Sequence, residues 1–245
     1  MSLSTAILLG LIQGLTEFLP VSSSGHLAVA QHFTPGFHQP GMLFDIVLHL
    51  GTLSAVLVYF RRDIAFLAGG LLPGPAGAAG RRLLSRLALG TVPAVMTGLA
   101  VGALVQQSSR EMAVVGVALL LTGGLLLYSA RFSREGRALE SVSVADALTV
   151  GVFQSAALLP GISRSGSTIV AGLVRGLSHH AAARFSFLLS VPAIIGAAVY
   201  DLPRVSLVDE GQVASYSAGF LTALVVGYFS IEVVLRSLTK RRFHL

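Results

Sequence analysis

Residues 13–26 read QGLTEFLPVSSSGH, and this stretch decides the fold. An apolar helix runs into it from residue 3, stops near Pro20, turns through three serines and a glycine, and resumes as a short apolar helix to residue 33. Proline disfavours helix in the residue before it, which puts the break there. Residues 153–168, FQSAALLPGISRSGST, repeat the pattern within 144–178: Gln154, an apolar run, Pro160, a Ser/Gly turn and a second short helix. The two halves of the first region are too short or too polar for two full membrane crossings.

Outward from these stretches the chain is plainly apolar. Of its 245 residues 53% are hydrophobic and 11% charged, where a soluble domain carries roughly a quarter charged residues. Stretches near 41–60, 83–105, 112–130, 183–200 and 214–236 are each suited to crossing a hydrocarbon core of ~30 Å. Backbone polar groups in lipid must be satisfied internally, and the alternation of a membrane barrel is absent, so the spans are helices. With no cysteine there is neither a disulfide framework nor a thiolate metal site. The first apolar stretch lacks a basic leader and is interrupted by Gln13 and Glu17, so it reads as part of the mature fold. The net charge of +6 does not point to nucleic acid, because the basic residues sit in short loops between spans.

Those loops set a topology. Arg61, Arg62, Arg81 and Arg82, then Arg131, Arg134 and Arg137, then Lys240, Arg241 and Arg242 face the cytoplasm, and the loops near 106–111 and 201–212 face outward. The Gly, Pro and Ala of 69–80 read as a flexible cytoplasmic connection. Residues 3–33 then enter and leave from outside, and 144–178 from the cytoplasm. The expected fold is all-α: a polytopic helical membrane protein, one transmembrane domain over 1–245, with an inverted-topology repeat and two re-entrant helical hairpins. Repeat 1 covers approximately 1–140 and repeat 2 approximately 141–245. Three spans follow the first hairpin and two the second, so on this count repeat 2 lacks its last span.

Gln13 and Glu17 share one helix face, and a carboxylate at membrane depth costs roughly 3 kcal/mol or more unless paired or hydrated. It is a functional candidate, set against a plain interhelical polar contact. Beside it Ser22, Ser23, Ser24, Gly25 and His26 open a helix; such a turn suits an anion, or is an ordinary N-cap. Together with Glu17 they supply a hydroxyl, an imidazole and a carboxylate, the parts of an activated nucleophile. In the second hairpin Gly161, Ser163, Arg164, Ser165, Gly166, Ser167 and Thr168 place a guanidinium among hydroxyls and N–H groups, a phosphate-binding composition. The alternative is a structural ion pair for Arg164, with Glu17 an available partner. Gln154 either bonds between the hairpins or packs. Asp45 and His49 share a face and read better as a pair satisfied within the bundle than as an extension of the site. His32, His38, His179, His180 and His244 lie at segment ends and are assigned no chemistry, and Arg175 and Arg184 are expected to snorkel to the cytoplasmic face.

QGLTEFLPVSSSGH and PGISRSGST together resemble the undecaprenyl pyrophosphate phosphatase family, known also for bacitracin resistance, and the resemblance extends over nearly the whole chain, including SFLLSVPAIIGA at 186–197. The family's first motif has Glu or Gln, three residues, then Glu; here these are Gln13 and Glu17. The resemblance puts the family's essential serine and histidine on Ser23 and His26, and its phosphate-binding arginine on Arg164 with Ser163, Ser165, Ser167 and Thr168 around it. It implies dephosphorylation of a polyprenyl pyrophosphate lipid to the monophosphate carrier used in cell-wall synthesis. It also implies a divalent cation (Mg²⁺ or Ca²⁺) and a site reached from the periplasmic side of the bacterial inner membrane. It implies a further C-terminal span, where this chain stops at Leu245. Membrane lipids surround such a chain, and a homodimer stays open.

Two mechanisms fit these residues. In one, Ser23 attacks the terminal phosphorus and His26 or Glu17 takes its proton. In the other, Glu17 and the pyrophosphate hold the cation, which activates water. The rival class is a lipid-phosphate flippase or transporter, because broken helices in an inverted repeat are a transporter trait. The phosphatidic acid phosphatase type is set aside: its SR element is followed closely by a histidine, and here the next histidine after Arg164 is His179.

Overall fold

The computed structural model describes residues 1–34, 43–108, 111–132, 135–201 and 210–239. Arg134, Lys240, Arg241, Arg242, His38 and His244 lie outside the described residues. Among the described residues the chain forms ten α-helices and no β-strand. They are α1 (Leu3–Thr16), α2 (Ser23–Phe33), α3 (Leu43–Tyr59), α4 (Arg61–Gly69), α5 (Ala78–Ser108), α6 (Met112–Ser129), α7 (Val144–Ala156), α8 (Arg164–Val174), α9 (His179–Asp201) and α10 (Val213–Thr239).

Among the described residues four segments are long and apolar enough to cross a membrane: Pro75–Gly102, Met112–Ser129, His179–Asp201 and Val213–Ser237. The fifth expected span differs. α3 has 17 residues and qualifies only together with α4, from which it bends by 76°. The bend falls at Phe60–Arg62, where the sequence changes from apolar to basic. The connection expected to be flexible is also built differently. Arg81 donates to the carbonyls of Leu72 and Gly74 at 2.6 and 2.7 Å, tying the turn between α4 and α5 to the start of α5.

The four short apolar helices do not run on into their neighbours. α1 ends at Thr16 and α7 at Ala156, each four residues before its proline, and a turn fills the gap. The long helices hold these broken ones. α10 packs along α1 and α3, while α5 packs along α7 and also meets α9. Small residues let the backbones approach, as is common between membrane helices. A β-carbon on Gly10 would sit 2.7 Å from the Gly219 carbonyl oxygen, and one on Gly151 would sit 2.3 Å from that of Gly90. Beneath the broken helices, Phe18, Phe60 and Phe187 are buried, with Phe18 and Phe187 edge to face at 5.5 Å.

The ends of the bundle differ in charge. Around the starts of α7 and α9, Arg137 and Arg175 both bond Asp146 at 2.8 Å, and Arg184 bonds Asp63 of α4. Arg175 and Arg184, read from sequence as snorkelling to the cytoplasmic face, each also have a carboxylate partner, because the bend after α3 and the capping box of α7 bring acids to that end.

Candidate active site

The tips of the two broken-helix segments meet inside the bundle. At the first, Glu17 caps α1, its N–H donating to the Gln13 carbonyl at 3.0 Å, and its side chain is 5% exposed. Both carboxylate oxygens are engaged. Oε1 accepts from Arg164 Nη2 at 2.5 Å. Oε2 accepts from Ser23 Oγ at 2.5 Å and from Gln13 Nε2 at 3.0 Å. Gln13 also donates to Thr52 Oγ1 at 3.3 Å, and His49 Nε2 stands 3.8 Å from Glu17 Oε2. One carboxylate thus joins a hydroxyl on α2 to a guanidinium on α8, residues 147 apart in sequence from its own position in the latter case.

Local capping aims these groups. Ser22 precedes α2 with φ +70°, uncommon for a residue other than glycine and a conformation that clusters at functional turns. Its hydroxyl accepts from the Gly25 N–H at 3.3 Å, which starts the helix at Ser23. Ser163 caps α8 in the same way, accepting from the Gly166 N–H at 3.0 Å, and so starts that helix at Arg164. From α6, Thr122 donates to the Gly161 carbonyl at 2.8 Å and accepts from the Ser163 N–H at 3.0 Å. Gly161 has φ +98°, and a β-carbon there would lie 2.6 Å from the Val115 carbonyl oxygen. The tips touch: a β-carbon on Gly25 would be 3.0 Å from the Gly161 Cα, and Ser165 Oγ donates to the Leu19 carbonyl at 3.0 Å.

The junction faces a cavity of about 280 Å³ whose lining includes Glu17, Ser22, Ser23, Ser24, Ser163 and Arg164, together with Asp45, His49 and Asp201. An apolar groove of about 430 Å³ adjoins it, sharing Arg164, Pro160, Leu158, Ala193 and Ala197 and running between α5, α7 and α9 past Gly98, Leu99, Gly102 and Gly196. Arg164 Nη1 is buried with no hydrogen-bond partner among the described residues, and so are both polar atoms of Gln154 on the groove wall.

The expected site residues divide. Gln13, Glu17, Ser22, Ser23, Ser24, Ser163 and Arg164 come together at or beside the cavity. Gly25, Gly161 and Gly166 build the turns. Ser165 and Thr168 are spent on packing, Thr168 bonding the Arg164 carbonyl and Ser186 at 2.7 and 2.6 Å, and Ser167 is buried away from the cavity lining. His26 is exposed, with Nδ1 2.8 Å from the Ser22 carbonyl oxygen, and does not line the cavity. The Ser23 hydroxyl points to Glu17 rather than to this imidazole. Two contributors, Thr52 and Thr122, were not singled out from sequence, and a third, His49, was read as paired with Asp45 rather than as part of the site. His49 turns to Glu17 instead of pairing with the Asp45 side chain, which takes Gln31 Nε2 at 2.8 Å. Thr52 and Thr122 are threonines within apolar helices, and their only signal was polarity in a span.

A divalent cation held by the protein alone does not fit this donor set. Glu17 has both oxygens occupied by side-chain donors, and among the described residues no group of three His, Cys, Asp or Glu side chains could hold a metal ion.

The sequence matches the family described as bacitracin resistance protein BacA over residues 6–245. The chain belongs to that family. An undecaprenyl-diphosphatase of Syntrophotalea carbinolica is 46% identical over all of this chain and 93% of its own length. The undecaprenyl-diphosphatase of Desulfosudis oleivorans is 42% identical over 98% of this chain and 91% of its own, and that of Rubrobacter xylanophilus 42% over 95% and 88%. Family membership and the apolar helices together make the chain a multi-pass membrane protein.

Proposed function

We propose that the junction cavity hydrolyses undecaprenyl pyrophosphate to undecaprenyl phosphate and inorganic phosphate, as the names of the relatives say of those proteins. The observation that carries the chemistry is the Ser23–Glu17–Arg164 contact, in which a hydroxyl donates to a carboxylate beside a guanidinium with one buried nitrogen unpaired.

The steps follow from the geometry. The terminal phosphate lies against Arg164 Nη1 and the N–H groups opening α2 and α8, where negative charge is stabilised. Ser23 Oγ attacks the terminal phosphorus as its proton passes to Glu17 Oε2, and the bond from that phosphorus to the bridging oxygen breaks. The lipid monophosphate leaves, and water cleaves the phosphoserine to restore Ser23. Gln13 and His49 hold Glu17 in place, and His49 is the next acceptor for its proton. The prenyl chain lies in the apolar groove between α5, α7 and α9. A divalent cation would be held chiefly by the pyrophosphate oxygens, with Glu17 the carboxylate beside them, and would supply charge neutralisation there.

The same reading makes the two broken-helix segments re-entrant hairpins of an inverted repeat. Reciprocal packing supports it: the second long helix after each tip (α5 or α10) lies along the first half (α7 or α1) of the other segment. The cavity lining includes Asp45 at the start of α3 and Asp201 at the end of α9, the ends of those helices away from the arginines, which supports an opening to the periplasmic side of the inner membrane. Every group in this chemistry comes from one chain, so a homodimer is not required. The flippase alternative has no support from the relatives, whose names are those of a hydrolase.

Phosphate release from a polyprenyl pyrophosphate in detergent tests the reading, beside Ser23→Ala, Glu17→Ala and Arg164→Ala. Labelled phosphate trapped on Ser23 supports the covalent route. Full activity in Ser23→Ala would move the attack to water.

A further inference from the structure

A second cavity lies at the arginine-rich end of the bundle, away from the junction. It measures about 420 Å³ and is walled by α4, α5, α9 and the 3-10 turn Leu139–Ser141 that leads into α7. Four arginines line it, Arg62, Arg82, Arg86 and Arg184, against two carboxylates, Asp63 and Glu140. Asp63 is already bonded to Arg184. Among the described residues Arg62, Arg82 and Arg86 have no carboxylate partner, and Arg86, whose Nη1 donates to Ser85 Oγ at 3.2 Å, has a buried Nε with no hydrogen-bond partner. A buried guanidinium N–H left unpaired is costly, so the cavity is built for an acceptor.

We propose that this cavity binds the phosphate group of an anionic phospholipid headgroup, at a site separate from the catalytic junction. Guanidinium groups on two helices suit the tetrahedral oxygens of a phosphate diester, which are acceptors only. The surroundings favour a lipid over free phosphate. α4 bends 76° away from α3, and Phe66, on the cavity wall, is 46% exposed. Leu71 and Leu72, in the turn that follows, are 73% and 66% exposed. Large apolar side chains exposed beside a basic pocket at the end of a helical bundle match a surface seated among lipid headgroups and acyl chains. The ligand would bridge α4 and α5 to the turn feeding α7, bracing the second broken-helix segment from its far end.

The test uses the full chain purified in neutral detergent, with phosphatidylglycerol, phosphatidylcholine and inorganic phosphate as probes. Native mass spectrometry counts the lipids retained, and thermal unfolding follows stabilisation. Phosphatidylglycerol is expected to bind saturably and raise the unfolding temperature, and phosphatidylcholine is not. Arg82→Gln, at an exposed position on α5, is expected to weaken phosphatidylglycerol about tenfold, one charged hydrogen bond's worth, while phosphatase activity stays at the parental level. Arg86→Gln acts in the same direction. Arg164→Ala, which disables the junction, leaves phosphatidylglycerol binding unchanged. Displacement by millimolar inorganic phosphate, with the same loss in Arg82→Gln, would make the ligand free phosphate and overturn the lipid assignment. Equal retention of the two lipids, or loss of binding that follows Arg164→Ala and not Arg82→Gln, overturns the site.

Discussion

At the scale of single residues, the proposed chemistry hangs on one carboxylate with three donors. Removing the nucleophile in Ser23→Ala is expected to lower kcat by at least about 10²–10⁴, the range for losing a positioned proton-transfer partner or nucleophile. Arg164→Lys keeps the charge but loses the planar fork that serves Glu17 and the phosphate together, so activity is expected to fall about 10²–10³-fold rather than recover. Steady-state phosphate release checks both, with circular dichroism to confirm that the helices persist. His26→Ala separates the two sequence-level assignments of the base: a drop below tenfold fits Glu17 as acceptor, and a collapse equal to that of Ser23→Ala returns the role to the imidazole. The polar residues of this site were legible because a carboxylate and an arginine inside apolar stretches stand out by cost alone. Their contacts were less so. The pairing of Glu17 with Arg164 appeared in sequence only as the alternative to a phosphate role, and the structure lets one guanidinium serve both, with Nη2 on the carboxylate and Nη1 unpaired. The orientation of His49 toward Glu17 depends on how α3 is rotated against α1, which helical spacing within α3 does not determine.

At the scale of elements, the breaks matter more than the helices. Pro20 and Pro160 placed the breaks in the right segments but four residues late, because a turn rather than the proline itself ends each helix. That offset leaves Glu17 at a helix end, where it meets both the start of α2 and the start of α8. The second tip rests on Gly161, whose positive φ and close approach to α6 both exclude a side chain. Gly161→Ala is expected to destabilise the fold by about 2–4 kcal/mol, from strain plus overpacking, and to lower activity although it touches no reacting group. Thermal unfolding and phosphate release measured together check this, and an unchanged unfolding temperature would count against the tip geometry. The start of the second segment carries a pH signature. Burial opposes ionisation of Asp146, but bonds from the Ser143 backbone, Arg137 and Arg175 outweigh it and hold the carboxyl well below the usual carboxylate range. A lowered pKa in the fold means stability that is present above the ordinary carboxylate pKa and lost as pH falls through the folded value. Asp146→Asn should therefore unfold at a lower temperature than the parent near pH 7, with the gap narrowing as the pH drops below about 4.

At the scale of the whole molecule, span positions came from composition, and the proposed direction rests on charge. What composition did not show was α4: the connection read over 69–80 follows a short helix bent away from α3, and Arg81 bonds its turn. A nine-residue helix of low overall hydropathy leaves no span-like signal. The orientation of the bundle can be tested directly, because the chain has no cysteine and every introduced thiol is a unique label. Glu111, exposed at the start of α6, and Glu140, exposed in the turn before α7, lie at opposite ends of the bundle on the proposed topology. In intact cells, Glu111→Cys is expected to react with a membrane-impermeant maleimide and Glu140→Cys to react only after permeabilisation. Ser24→Cys, on the cavity lining, belongs with Glu111→Cys if the cavity opens to the outer side, and bound substrate should protect it. Labelling of Ser24→Cys and Glu140→Cys from the same side would break the link between the arginine-rich end and the closed side of the cavity. Labelling of both only after permeabilisation would further require the phosphatase to receive its lipid from the cytoplasmic leaflet.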